Sequence, residues 1–235
     1  MSLILVGHRG AKGLAPENTL KAFEIGSEYS DYLECDIHLS ADDKMVVIHD
    51  GMLKRTAHQP GYVSDYSLKE LREFDFGQGE KMPILEEVVD AAEKNKKGLI
   101  IEIKGLTQEE ADSVKNKLAE FIKTRNFSVP IYVCSFWHKT LEHLKSVLPE
   151  IKTFIMSEDS ESAGKSSELI YNANANGIGI RSDFISKAIV DDVHKNNFFI
   201  NAWTVNEPEE FERLKGIGVD WITTDYPDRF NKAVN

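Results

Sequence analysis

Cysteine is scarce in this chain: Cys35 and Cys134 are the two among 235 residues. Each sits in an apolar, strand-like run, which excludes a disulfide scaffold and a cysteine-built zinc cluster and fits two reduced, buried thiols. Long hydrophobic runs are missing as well. The opening segment Met1-Ser2-Leu3-Ile4-Leu5-Val6-Gly7 is too short for a signal peptide or a membrane helix, and it has neither a basic start nor a small-residue cleavage site. It reads as a first strand, and a cytoplasmic location is the expectation. Positive charge is in deficit: 28 Lys and Arg stand against 39 Asp and Glu, a formal net charge of −11. Nucleic acid or an anionic bilayer would meet repulsion at long range, so neither a nucleic-acid partner nor stable membrane association is expected. An anionic substrate must then be held by a few local cations. Nucleotide-binding glycine loops are absent too, since Gly7, Gly10 and Gly13 fit neither G-x-G-x-x-G nor G-K-[ST]. Nothing in the sequence sets an oligomeric state.

What the chain does have is alternation. Short apolar runs recur at residues 3–6, 32–39, 99–103, 131–134, 153–156, 177–180, 198–205 and 219–222. Helical patterns lie between most of them. Leu85, Val88, Val89 and Ala92 repeat at i, i+3, i+4, i+7, and Val114, Leu118, Phe121 and Ile122 at i, i+4, i+7, i+8; Leu141, Leu144 and Leu148 mark another. Eight strands alternating with helices, without a long linker or an internal repeat, predict an α/β fold: one TIM (β/α)8 barrel domain over residues 1–235. Residues 40–82 break the pattern with a turn at Ala41-Asp42-Asp43-Lys44, an extra strand near 45–49 and a short helix near 67–74. They read as an insertion between the second strand and second helix, placed over the barrel mouth, where loops of this fold carry function.

Glu34 and Asp36 are two apart within a strand, so both carboxylates share one face and Cys35 takes the other. Glu102 and Lys104 repeat the spacing on the third strand, where a charge inside an apolar run is costly unless paired or metal-bound. Three carboxylates would suit a hard divalent cation, Mg²⁺ or Ca²⁺; a simple Glu102–Lys104 ion pair accounts for the spacing equally well. His8-Arg9-Gly10 follows the first strand directly and brings an imidazole and a phosphate-matching guanidinium to the catalytic end of a barrel. His49-Asp50 closes the extra strand; alone it is an ordinary hydrogen-bonded pair. Trp203 and Phe136, at strand ends, suit the wall of an organic-ligand pocket. His38, His58, His138, His143 and His194 carry no partnering motif, although His58 falls in the insertion.

The ordered set His8-Arg9-Gly10, Pro16-Glu17-Asn18-Thr19, Glu34-Cys35-Asp36, His49-Asp50, Glu102-Ile103-Lys104, Ser135-Phe136, Trp203-Thr204-Val205-Asn206 and Thr224-Asp225 resembles the glycerophosphodiester phosphodiesterase family over nearly the whole chain. The resemblance implies a TIM barrel with a small inserted region and metal-dependent hydrolysis of a glycerophosphodiester to sn-glycerol 3-phosphate and an alcohol, in lipid and glycerol metabolism. Carried over by position, Glu34, Asp36 and Glu102 look like the metal ligands. His8 and His49 look like the acid–base pair, with His8 assigned as base and His49 as acid. Arg9 and Lys104 look like phosphate contacts and Glu17 like support behind them. The turn Asp43-Lys44 lacks the glycine usual there in the family, and Ser40 replaces a threonine, which leaves the hairpin geometry open. A related phospholipase would want an apolar rim or a basic membrane-facing patch, and a pure phosphodiester binder would not need both histidines.

Overall fold

A computed structural model describes residues 3–234; Met1, Ser2 and Asn235, the ends of the expected 1–235 domain, lie outside the described residues. Among the described residues nine strands form one sheet: β1 (Ile4–Gly7), β2 (Tyr32–Leu39), β3 (Met45–Val47), β4 (Gly98–Ile103), β5 (Ile131–Ser135), β6 (Lys152–Ser157), β7 (Gly177–Arg181), β8 (Phe199–Trp203) and β9 (Trp221–Thr224). Eight of them are parallel and run β1-β2-β4-β5-β6-β7-β8-β9, with β9 pairing back to β1 to close a TIM barrel. β3 is the exception. It lies antiparallel to the far end of β2, with Ile37 opposite Val47 and Leu39 opposite Met45, beyond the two residues of β2 that pair with β1.

The period of two sorts the side chains. Leu33, Cys35 and Ile37 of β2 face the core shared with the outer helices, as do Leu99, Ile101 and Ile103 of β4. Tyr32 and Ile100, on the opposite faces of those strands, pack inside the barrel with Val6, Cys134, Phe154, Met156 and Trp221. At the N-terminal ends of the strands, Trp221 meets Tyr32, Tyr132 and Phe199, each with ring centroids 4.8 Å away. This aromatic plug fills the barrel interior at the N-terminal ends of its strands. β7 turns glycines inward: a Cβ on Gly179 would stand 2.6 Å from Met156 Sδ, so the missing side chain is what admits Met156.

The outer helices Leu85–Lys94, Gln108–Thr124 and His138–Val147 carry the apolar stripes read from the sequence, and their Leu85, Val88, Leu118, Leu141 and Leu144 are buried. The insertion has a core of its own: Val46, Ile48, Leu53, Ala57, Val63, Leu71, Phe76 and Met82. Its short helix spans Leu68–Leu71, capped by Ser67, whose hydroxyl accepts from the Glu70 amide. The hairpin turn needs no glycine, because Asp43 takes the left-handed conformation at φ 57°, which a short polar side chain tolerates.

Candidate active site

Strand alternation brings Glu34, Asp36 and Glu102 together inside the barrel. Asp36 pairs in register with Glu102, and one carboxylate oxygen from each of the three residues lies within 4.8 Å of the others. All three are buried, at 6%, 1% and 6% exposure. Like charges on adjacent strands repel, so the arrangement needs compensating cations. Lys104 supplies one, its Nζ lying 2.6 Å from Glu102 Oε1 and 3.1 Å from Asp36 Oδ1, as ion pairs without hydrogen-bond alignment. Arg9 supplies another: its Nε lies 3.4 Å from Asp36 Oδ2 and its backbone amide donates to Glu34 Oε2 at 2.8 Å.

Two cations do not neutralise three carboxylates. Burial raises the pKa of Asp36, but Lys104 and Arg9 outweigh it and hold this carboxyl well below the usual range. Burial, together with the charges of Asp36 and Glu102, pushes Glu34 well above it, and Glu102 is raised by burial against the pull of Lys104. Glu34 Oε1 is buried without a hydrogen-bond partner. An unsatisfied, all-oxygen donor set with surplus negative charge suits a hard divalent cation.

Arg9 reaches the cluster through an unusual turn. Arg9 and Gly10 both have positive φ, 50° and 84°, and a Cβ on Gly10 would meet the backbone of Ala22 at 2.5 Å. The turn lets the Gly10 amide donate to the Glu34 carbonyl at 3.2 Å and leaves the guanidinium Nη1 donating to Glu17 Oε1 at 2.8 Å. Asn18, also left-handed at φ 57°, donates its amide to Asp36 Oδ2 at 2.8 Å.

The two site histidines have matching supports. His8 Nδ1 lies 2.6 Å from Asp225 Oδ1, and Asn206 Nδ2 donates to Asp225 Oδ2 at 2.9 Å. His49 Nδ1 lies 2.6 Å from Asp50 Oδ1, and His38 Nε2 donates to the His49 carbonyl at 3.1 Å. Burial lowers the pKa of His8, outweighing the pull of Asp225, while His8 and Asn206 draw Asp225 down to about 2 against its own burial. Burial, with Lys104 and Arg9 nearby, lowers His49 to about 4 against the charge of Asp36. Burial thus favours the neutral imidazole at both positions.

These groups line a cavity of about 520 Å³. His8, Arg9, Glu34, His49, Glu102 and Lys104 form its polar side, and Phe136, Phe154, Met156 and Trp203 its apolar side. Phe136 and Trp203 meet edge to face with centroids 5.6 Å apart. Trp203 Nε1 is buried without a partner. From residues 40–82 the lining takes His49; His58 instead is an exposed, left-handed cap on the helix Lys54–Ala57, outside this lining. Sequence reasoning gave no role to Asn18, His38, Arg55, Asn206 or Asp225. Asn18, Asn206 and Asp225 stood inside quoted motifs, a usable signal; Arg55 stood in none.

A sequence model of the glycerophosphoryl diester phosphodiesterase family matches residues 8–229. The chain belongs to this family. Its class is accordingly that of an enzyme, a phosphoric diester hydrolase acting as a glycerophosphodiester phosphodiesterase. A glycerophosphodiester phosphodiesterase of Caldanaerobacter subterraneus is 31% identical, with 97% of this chain and 96% of that protein covered. One from Bacillus altitudinis is 30% identical, with 96% and 95% covered. Among solved structures, an Oleispira antarctica phosphodiesterase in complex with the product sn-glycerol-3-phosphate superposes with a TM-score of 0.92 at 26% identity, covering 99% of this chain and 97% of that one. Among the described residues of this family member, no helix is long and apolar enough to cross a membrane.

Proposed function

We propose that the protein hydrolyses small water-soluble glycerophosphodiesters to sn-glycerol 3-phosphate and a free alcohol, with a divalent cation and a pair of histidines. The observation that carries this reading is the buried carboxylate trio with an unsatisfied oxygen, flanked in one cavity by two aspartate-held imidazoles and two cations. Glu34, Asp36 and Glu102 would hold Mg²⁺ or Ca²⁺, which when bound supplies positive charge against the phosphoryl oxygens. Arg9 and Lys104 present further N–H donors to the same phosphate, and Glu17 fixes the Arg9 guanidinium.

His8 is the base in this reading. Its Nδ1–H faces Asp225, so Nε2 keeps a lone pair, and the lowered pKa keeps that lone pair free at neutral pH. His49 is the acid. The free imidazole lacks the extra proton, and the incoming phosphodiester anion raises its proton affinity by placing negative charge beside it. Phe136 and Trp203 offer apolar surface to the carbon skeleton of the substrate, and residues 40–82, in one domain with the barrel, shape selectivity for the alcohol. The net charge of −11 favours deacylated, soluble diesters over intact membrane lipid or nucleic acid. Two buried free thiols, Cys35 and Cys134, fit a cytoplasmic setting.

The test offers glycerophosphocholine, glycerophosphoethanolamine, a lysophospholipid and a short oligonucleotide in parallel with metal present. A coupled dehydrogenase reads glycerol 3-phosphate. Turnover of the first two is expected; efficient turnover of the lysophospholipid or the oligonucleotide alone refutes the reading.

A further inference from the structure

We propose that Arg55 is a positioning residue for His49, acting through Asp50, and that this is how the insertion takes part in the chemistry. The inference rests on the functional reading above and extends it to a residue outside the cavity lining. Arg55 lies on the helix Lys54–Ala57, whose neighbours Leu53 and Ala57 are buried in the insertion's own core. Its guanidinium engages two carboxylates at once. Nη1 and Nη2 donate to Glu17 Oε2 and Oε1 at 2.8 and 2.7 Å, and Nε donates to Asp50 Oδ2 at 2.5 Å. The other Asp50 oxygen takes the His49 Nδ1 contact at 2.6 Å.

Each link has a geometric consequence. Asp50 is partly exposed, with 31% of its side chain open to solvent, so the histidine alone would not stop its carboxylate from rotating. The Arg55 bond fixes that rotation, because one oxygen is committed to Nε and only the other is left for His49. With Nδ1–H committed to Asp50, the Nε2 of His49 is the atom left for the reacting group. Glu17 anchors the far side of the guanidinium bidentately and is itself tied to Arg9. The orientation of His49 is thereby referenced to the barrel loop after β1 and not only to the insertion. A lysine at 55 has one ammonium and cannot present a planar fork to Glu17 while also reaching Asp50.

The test is a double-variant comparison on glycerophosphocholine with divalent cation present: wild type, Arg55→Ala, His49→Ala and both together, with thermal unfolding of each. Arg55→Ala is expected to lower kcat by about 10- to 100-fold, the cost of a misplaced reacting group. The loss should fall mainly on kcat, with a smaller rise in KM, because Arg55 reaches the phosphate-facing Arg9 only through Glu17. In the His49→Ala background the same change should cost about twofold or less, because residues that act as a unit are not additive. Arg55→Lys should restore little of the loss. Equal losses in both backgrounds would overturn the proposal. Nitrogen-15 spectra of the free protein give an independent readout: His49 should hold one Nδ1–H tautomer in wild type and a mixture in Arg55→Ala, and an unchanged tautomer would also overturn it. If wild type turns over no diester, the functional reading fails while the imidazole spectra still decide the role of Arg55.

Discussion

His8 and Asp225 face each other across 2.6 Å, 217 positions apart in sequence, and their balance sets how the site should respond to pH. His8 is lowered from its ordinary value by burial, so the proposed base function of its neutral imidazole should be lost only as pH falls below about 6.5. The acid limb of kcat/KM should therefore lie below that of an exposed histidine. Asp225→Asn removes a charge that raises His8, and the limb should move further down; a limb that moves up would contradict the pairing. At the same scale, alanine at His8 or His49 should each cost about 10²-fold or more in kcat with the thermal midpoint little changed, a combination read by parallel kinetics and calorimetric melting. The histidines at this scale were legible because each stands in a short motif just past a strand, and the carboxylates because the period of two sets them on one face of theirs. Their supports were not: Asn206 reaches Asp225, Asn18 reaches Asp36 and Arg55 reaches Glu17 only after the chain has closed, over separations of 18 to 38 positions.

The elements explain both what sequence pattern recovers and where it slips. The eight parallel strands fall on the eight apolar runs, because inward and outward faces of a barrel strand are both buried and the runs stay apolar. Two of the runs that begin too early share one cause. Phe198 and Val219 read as strand, yet their amides bond back to Val193 and Leu214 at 3.1 Å, after left-handed Asn197 and Gly218. They close the preceding helices, where an apolar residue commonly follows the left-handed cap. β8 and β9 start one and two residues later, at Phe199 and Trp221. The insertion was legible as an interruption and not as a packed unit, since its core draws on residues from Val46 to Met82 without a period. That core carries its own prediction. Leu53 is fully buried, so Leu53→Ala should cost about 2–5 kcal/mol, measurable by urea unfolding; a cost near zero would mean the insertion does not depend on this packing. Exchange of residues 55–61 should alter the ranking of kcat/KM among head groups, and an unchanged ranking would count against a selective role.

Across the whole molecule, charge and chemistry point opposite ways, and both were readable from composition and motifs. The chain is acidic overall, at −11, while the cavity gathers Arg9 and Lys104, the proposed phosphate contacts. Substrate capture therefore depends on short-range contacts, not on long-range steering. The protein should stay in solution when mixed with phosphatidylserine-rich vesicles at physiological ionic strength, and cosedimentation with them would contradict that. The proposed cation-dependent chemistry rests on the three carboxylates at the heart of the barrel. The most direct measurement follows glycerol 3-phosphate release from glycerophosphocholine before chelator treatment, after it, and after Mg²⁺ or Ca²⁺ is returned, alongside calorimetric titration of the same ions into wild type, Glu34→Ala, Asp36→Ala and Glu102→Ala. Activity should be lost to the chelator and restored by the ion, with ion binding weakened or abolished in each variant. Full turnover in the chelated protein, or unchanged affinity in all three variants, would contradict it.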